Sequence, residues 1–192
     1  MSQDAKPLAL YYPPGGILMW IIILLELITF GMAIIAMVYY GQQEAELFHE
    51  SRLKLNTTFG TVNTILLITS GFFMALSVRY IKEKKVETSL KFLNLTMLLG
   101  ICFLILKSIE YYFKLDEGLG LGYNTFFTFY WMLTLFHVIH VITGLVILML
   151  SYFGIKKKKE NINIDDFEAS AAFWHMCDLI WLLLFPVIYL LF

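Results

Sequence analysis

Residues 17–40 read ILMWIIILLELITFGMAIIAMVYY, and Glu26 is the only charged side chain among them. An α-helix rises 1.5 Å per residue, so about 20 apolar residues are enough to cross the roughly 30 Å of hydrocarbon in a bilayer. The run is therefore long enough to form a transmembrane helix. We do not expect a cleavable signal peptide here, because the run is too long for one and has no cleavage site of small residues.

Four more apolar runs of sufficient length follow in the sequence, at about 59–81, 90–113, 124–153 and 168–192. The 192 residues are 59% apolar and only 15% charged, whereas soluble domains are about half apolar and about a quarter charged. The segments between the runs are short and polar, and the sequence has no internal repeat. We therefore predict an all-α polytopic membrane protein, with a tail at 1–16 and one five-helix transmembrane domain at 17–192.

Charge and cysteine content argue against several classes of protein. The net charge is −1 and no basic face recurs, which argues against a nucleic-acid-binding module. Cys102 and Cys177 both lie inside apolar runs, so we expect packing roles rather than a disulfide framework or a zinc site. The sequence contains no P-loop, dinucleotide-binding fingerprint or nucleophile–base set, and we assign no catalytic residue.

Lysine and arginine are distributed unequally between the two sides of the membrane. With five spans, the N-terminus, the loop after the second run and the loop after the fourth run share one side. That side carries ten lysine and arginine residues and the other carries three, so the positive-inside rule predicts a cytoplasmic N-terminus and a C-terminus outside. The lysine run at 156–159 is interpreted as a membrane-surface anchor. The ten residues are Lys6, Arg79, Lys82, Lys84, Lys85, Lys91 and the four lysines at 156–159.

Five ionisable side chains lie where the bilayer makes them costly: Glu26, His137, His140, His175 and Asp178. Such groups face the protein interior and pair with one another. Glu26 and His175 lie at similar depths, because each is seven to nine residues into a run of the same direction. We predict that these two meet in a buried polar cluster, with Asp178 and a histidine of the fourth run nearby, in a structural or proton-related role.

A second group of polar residues suits an ion pair. Lys107 and Glu110 are three residues apart near the outer end of the third run, so they share a helix face and can neutralise each other. We expect the lysine to extend outward, with its ammonium group near the membrane surface.

Small and weakly polar residues indicate close helix packing. Asn63, Ser70 and Ser77 repeat every seven residues in the second run, which suits close approach of a neighbouring helix. Gly144 lies near the face that carries the two histidines of the fourth run. Trp174 and Trp181 share one sector of the fifth run with its polar residues, which indicates a packed face.

The buried histidines leave three interpretations open. His140 and His175 could supply an axial pair to a haem, although the neighbouring acids favour a hydrogen-bonded structural cluster. Glu26, His175 and Asp178 resemble the groups of a proton relay, yet an independent ion carrier usually has broken helices or inverted halves. The residues alone favour a small bundle with a buried polar cluster, no site of its own, and a place in a larger assembly.

Motifs in all five runs resemble subunit III of the haem–copper oxidases. The family patterns are NTxxLxxSG, EYY, FHxxHVxxGL and FEA followed by WHxxDxxW, and they occur here in the family's order. The resemblance adds Thr64 and Gly71 to the helix-packing residues. The matching segments are Glu26, Asn63-Thr64, Ser70-Gly71, Glu110-Tyr111-Tyr112, Phe136-His137, His140-Val141, Gly144-Leu145, Phe167-Glu168-Ala169, Trp174-His175, Asp178 and Trp181.

The resemblance implies a role in a complex. It implies a subunit without catalytic, cofactor-binding or metal-binding residues of its own. Such a subunit packs against the catalytic subunit I, which holds haem and copper, stabilises it and supports its proton uptake. The family takes part in aerobic electron transport, in which oxygen reduction is coupled to proton translocation, with cytochrome c or quinol as the electron donor.

The number of predicted helices indicates which members of the family the chain resembles. Cytochrome c oxidase subunit III usually has seven helices, whereas five-helix forms occur in bacterial quinol and cytochrome oxidases. A five-helix form also occurs among the NorE-type proteins of nitric oxide reduction, which are the nearest alternative. The resemblance therefore implies a multi-pass protein of the bacterial plasma membrane, in contact with phospholipid.

Overall fold

The computed structural model describes residues 16–157 and 163–192. Six helices form in this part of the chain, and all except α2 are long and apolar enough to cross a membrane. The predicted all-α polytopic membrane bundle is therefore confirmed. The helices are α1 (Gly16–Gln43), α2 (Ala45–Leu53), α3 (Thr57–Lys82), α4 (Val86–Asp116), α5 (Thr125–Lys157) and α6 (Ile164–Tyr189).

The helices extend beyond the apolar runs that predicted them. The helix of the third run begins at Val86 rather than near residue 90, and that of the fifth begins at Ile164 rather than near residue 168. Polar residues that suit the membrane surface continue these helices by about a turn, so apolar character alone underestimates their length. Most of the predicted tail at 1–16 and part of the lysine run at 156–159 lie outside the described residues.

The short helix α2 was not predicted, because it is too short and polar to resemble a span. Phe48 is its buried anchor, and its ring packs 5.4 Å from Phe126 and 5.0 Å from Phe192, centroid to centroid. Arg52 of α2 donates from Nε to the carbonyl oxygen of Tyr189 at 2.9 Å. The helix therefore closes one end of the bundle, which we call the α2 end; the other is the lysine end.

The turn between α3 and α4 lies at the lysine end and is held by exposed charges. Lys84 has a φ of 60°, which lets the chain reverse between the two helices. Lys85 donates to Glu83 at 2.8 Å and Arg79 donates to it at 3.0 Å. These hydrogen bonds, with Lys85 contributing most, hold the pKa of Glu83 below its usual value.

Helix α6 is the central element of the bundle. It packs against α1, α3 and α5, while α4 joins α3 to α5. The α3–α4 contact is stabilised by reciprocal hydrogen bonds: Ser77 and Ser89 each donate to the other's carbonyl oxygen at 2.8 Å. Ser70 and Thr96 repeat the arrangement, at 3.0 and 3.3 Å. Small hydroxyl residues at the contact let the two backbones approach closely.

The two tryptophans of α6 fix it against its neighbours. The indole of Trp174 lies between Gly100 of α4 and Gly144 of α5, where a Cβ at either position would lie within 3.0 Å of the ring. Its Nε1 donates to the hydroxyl of Ser70 at 3.0 Å. Trp181 donates in the same way to Thr64 at 3.0 Å. Each indole therefore combines a large apolar contact with a satisfied N–H.

Candidate functional site: the buried polar groups

Six of the ionisable residues singled out in the sequence form three separate sets in the structure rather than one cluster, and His137 lies apart from them. The first is a pair between α1 and α5: Oε2 of Glu26 lies 3.2 Å from Nε2 of His140. The Glu26 side chain is 24% exposed and that of His140 is 10% exposed, so the pair lies at the edge of the bundle. The contact is close, although it is not aligned as a hydrogen bond.

A second contact places a hydrogen on Nδ1 of His140. Nδ1 of His140 lies 2.8 Å from the carbonyl oxygen of Phe136. A carbonyl oxygen can only accept, so Nδ1 must carry a hydrogen. The close approach of Nε2 to Glu26 is then favourable when one proton lies on either group, as imidazolium with carboxylate or as imidazole with carboxylic acid. Both states are neutral overall, which is what a site inside a membrane requires.

The predicted contact between Glu26 and His175 is not found. The structure pairs Glu26 with His140 of α5, while His175 lies beside Gly71 of α3. Counting residues from the start of each span fixes the depth of a side chain. It does not fix the direction in which the side chain leaves its helix, and here the two side chains leave towards different neighbours.

The second set is His175 with Asp178, one turn apart on α6. Nδ1 of His175 lies 3.5 Å from Oδ2 of Asp178. Asp178 is buried at 8% exposure, while the His175 side chain is 44% exposed. A side chain at Gly71 would collide with the Asp178 carboxylate, so this glycine provides the room that the carboxylate occupies.

The third set surrounds Lys107 near the α2 end. Its Nζ donates to Oε2 of Glu110 at 3.0 Å and to the hydroxyl of Tyr189 at 2.8 Å, and lies 3.4 Å from that of Tyr130. Tyr130 and Tyr189 in turn donate to Oε1 of Glu110 at 2.9 and 2.6 Å. Both charges are thus neutralised and hydrogen-bonded inside the protein. We call these four residues the lysine cage.

The expectation that Lys107 extends to the membrane surface is wrong, because its side chain is 0% exposed. Its ammonium group also lies 5.0 to 5.5 Å from the ring centroids of Tyr111, Tyr130, Trp181 and Tyr189. These rings and hydroxyls replace the solvation that the ammonium would find outside. The sequence does place Tyr130 and Tyr189 at the same depth as Lys107, and that was the signal available for finding the cage.

His137 is buried without a polar partner. Its ring stacks on Trp181 at 5.2 Å and meets Phe103 edge-on at 5.7 Å. Neither ring nitrogen hydrogen-bonds to another residue of the described chain. Asn63 is likewise fully buried and without a partner for its amide in the same part of the chain. His137 therefore lies on the same helix face as His140, but unlike His140 it has no acidic partner in the described chain.

The two cysteines are not bonded to each other. Cys102 and Cys177 are free thiols, and Cys177 is buried. Over residues 16–157 and 163–192, no three His, Cys, Asp or Glu side chains come together in a way that could hold a metal ion. His140 and His175, the axial pair considered for a haem, are each committed to a different acid.

The fold and these pairs define a multi-pass helical membrane protein whose ionisable groups are mostly neutralised inside the bundle. The family model of cytochrome c oxidase subunit III matches residues 53–191. The chain belongs to this family. All the motifs that carried the resemblance fall in the matched range except Glu26.

Three relatives illustrate the range of the similarity. The chain is 38% identical to cytochrome c oxidase subunit 3 of Rhipicephalus sanguineus over 132 residues, which is 67% of this chain and 49% of that protein. It is 28% identical to cytochrome bo(3) ubiquinol oxidase subunit 3 of Buchnera aphidicola, over 67% of this chain and 63% of that protein. It is also 28% identical to the heme-copper oxidase subunit I+III of Aeropyrum pernix, over 90% of this chain and 22% of that protein. The chain spans about half the length of most of the curated relatives it matches.

Proposed function

We propose that the chain is the non-catalytic subunit III of a respiratory haem–copper terminal oxidase. In this proposal, oxygen reduction and proton translocation take place on the haem and copper of a catalytic subunit I, and this chain packs against that subunit. The observation that carries the proposal is the family match over residues 53–191. The Aeropyrum relative supports it, because its name joins subunits I and III in one polypeptide.

We propose two contributions to the complex. The first is mechanical: the lysine cage and the two tryptophans of α6 hold four helices together, so the chain presents a rigid surface to its neighbour. The second is support of proton uptake by subunit I. What supports it is the pair of Glu26 and His140, an acid and an imidazole 3.2 Å apart at the partly exposed edge of the bundle.

The proposed location is the plasma membrane of a bacterium, with phospholipid around the bundle. The lysine end is proposed to face the cytoplasm, with the C-terminus outside. The described lysine end carries basic residues from three helices and a turn, and Lys82 of α3 forms an ion pair there with Glu168 of α6.

The test is gentle detergent extraction of the tagged chain from its native membrane, followed by mass spectrometry and an optical spectrum of the assembly. We expect a haem- and copper-containing catalytic subunit in stoichiometric amount. Co-purification of a nitric oxide reductase with non-haem iron would favour a NorE-type accessory role instead. Untagged membranes treated in parallel provide the control for unspecific capture.

Two measurements on the isolated chain test for a haem site and for independent transport. A Soret band in the purified chain would contradict the absence of a haem site. Proton or ion flux through proteoliposomes that contain only this chain would contradict a subunit role and favour an independent carrier. Glu26→Gln is the matched variant for the flux measurement, because a carrier that uses the Glu26–His140 pair would lose its flux with that change.

A further inference from the structure

The central helix α6 leaves one strip of its surface uncovered. His175, Leu179 and Leu182 follow at intervals of four and three residues, which places them on one face of the helix. The His175 side chain is 44% exposed, and the two leucines are 45% and 41% exposed. Helices α1 and α3 both pack on α6 and leave these three side chains open. We call these residues the α6 strip.

The depth of the α6 strip restricts what can cover it. His175 is the twelfth residue of α6, which runs from Ile164 to Tyr189. At 1.5 Å per residue it lies about 17 Å from one end of the helix and about 21 Å from the other. Lipid headgroups and water are found near those ends, and acyl chains occupy the middle. A polar ring left against acyl chains at this depth is costly.

The pairing of His175 determines which group it presents outward. In a low-dielectric site the net-neutral states of the His175–Asp178 pair are favoured. The carboxyl group is the stronger acid and the ring nitrogen the stronger base, so the favoured states are the two in which the shared proton lies between Nδ1 and the carboxyl group. In the first, the imidazolium faces the carboxylate, so both ring nitrogens carry hydrogens. In the second, the carboxylic acid donates to Nδ1, so the neutral ring carries its hydrogen on Nε2. Both states leave an N–H on Nε2.

This N–H has no acceptor among the described residues. The Nδ1 side of the ring faces Asp178 and Gly71, so Nε2 is on the other side of an imidazole that is 44% exposed. His140 differs from His175. One of its ring nitrogens faces Glu26, and the other, Nδ1, is hydrogen-bonded to the Phe136 carbonyl oxygen. In these states the α6 strip presents a donor inside the membrane span.

We propose that the α6 strip is the surface on which the catalytic subunit docks, and that a transmembrane helix of that subunit places an oxygen acceptor opposite Nε2 of His175. The two leucines supply the apolar contact on one side of that hydrogen bond. The inference rests on the proposed function and deepens it, because it names the face of the chain and the chemistry of the partner. The acceptor opposite Nε2 can be an oxygen of a carboxyl group, of a hydroxyl group or of an unpaired backbone carbonyl.

Photo-crosslinking in the native complex tests the location. Benzoylphenylalanine is placed at position Leu179, and in a matched variant at position Ile105 of α4, which is 54% exposed on another helix. We expect a crosslink to the catalytic subunit from position Leu179 and none from Ile105. A crosslink from Leu179 to phospholipid or to another small subunit overturns the interface and leaves the proposed function intact. Absence of the catalytic subunit from the purified assembly overturns both.

Substitution of His175 tests the hydrogen bond. His175→Phe removes the donor, whereas His175→Gln retains an N–H that can reach the same acceptor. We expect His175→Phe to weaken retention of the catalytic subunit under rising detergent by roughly three- to tenfold, and His175→Gln to restore most of it. Circular dichroism and thermal midpoints of the purified variants check that both chains are folded. Equal retention of folded His175→Phe, His175→Gln and the unchanged chain overturns the proposed donor role.

Discussion

At the scale of single residues, the burial of His137 is not compensated by hydrogen bonds within the described chain. Its ring packs well against Trp181 and Phe103, but both ring nitrogens are hidden from water and from hydrogen-bond partners in the described chain. An unsatisfied buried polar group destabilises a fold by about 1–3 kcal/mol.

His137→Phe is therefore expected to leave the fold as stable or to stabilise it by about 1 kcal/mol, because the ring stacking is kept and the unsatisfied nitrogens are removed. The thermal midpoint of the detergent-solubilised chain measures the effect. His140→Phe is the control, since it removes the partner of Glu26 and is expected to lower the midpoint. A marked loss of stability in His137→Phe would mean that its nitrogens have partners in the membrane.

Removing a paired charge from the lysine cage should have the opposite effect to removing the unpaired ring of His137. Lys107→Met leaves the Glu110 carboxylate buried without its cation and is expected to cost about 3–5 kcal/mol of unfolding free energy. Lys107→Met combined with Glu110→Gln removes both charges and should recover much of that loss. Denaturant unfolding of the two single variants and the double variant measures the coupling. If the losses of the single variants simply add, the cage is not a coupled unit.

Single residues also mark the limit of prediction from sequence. Spacing along the chain located the ionisable residues in their spans, and it placed Lys107 with Glu110 on one helix face. It could not show that Tyr130 and Tyr189 complete the cage, because those contacts join residues that are distant in the sequence. It also paired Glu26 with the wrong histidine, since depth does not determine which neighbour a side chain faces.

At the scale of the elements, packing depends on glycines that accept the Trp174 ring. A Cβ at Gly100 would lie 2.6 Å from the nearest atom of that ring, and the ring is held on its other side by Gly144. Gly144 was expected to be a packing residue from the sequence, whereas Gly100 was missed because it belongs to no motif.

Gly100→Ala is expected to destabilise the bundle by about 1–3 kcal/mol, because Trp174 must move and weaken its hydrogen bond to Ser70. Gly31→Ala is the matched control in α1, where an added Cβ meets nothing within 4 Å and the higher helix propensity of alanine is slightly favourable. Thermal midpoints in detergent and the near-ultraviolet dichroism of the tryptophans report the difference. Equal midpoints for the two variants would show that the Trp174 ring is not confined.

At the scale of the whole molecule, five spans and an all-α bundle could be predicted, because the bilayer requires each span to be long enough and apolar enough to cross it. Helix α2 could not, since its nine residues carry no such constraint and owe their conformation to Phe48 in the core. The order of the helices around α6 is a property of long-range contacts, and nothing in the periodicity of a single run encodes it.

The orientation of the whole molecule is testable with cysteines at the two ends. In a chain with Cys102→Ser and Cys177→Ala, we expect Glu83→Cys at the lysine end to be protected from a membrane-impermeant maleimide in intact cells. Gln43→Cys, next to α2, should react under the same conditions. Labelling after membrane disruption controls for accessibility. The reverse pattern would place the lysine end outside the cell.

The position of α6 as the shared neighbour of α1, α3 and α5 has a consequence for biosynthesis, because α6 is the last of the six helices to leave the ribosome. Until it emerges, Thr64 and Ser70 lack their indole partners and Glu110 lacks one of its two tyrosines. We therefore expect the nascent chain to complete its packing only after α6 has been inserted. A stop codon shortly before residue 164 is expected to be as damaging as one near the start, and quality-control proteolysis of the truncated product would reveal it.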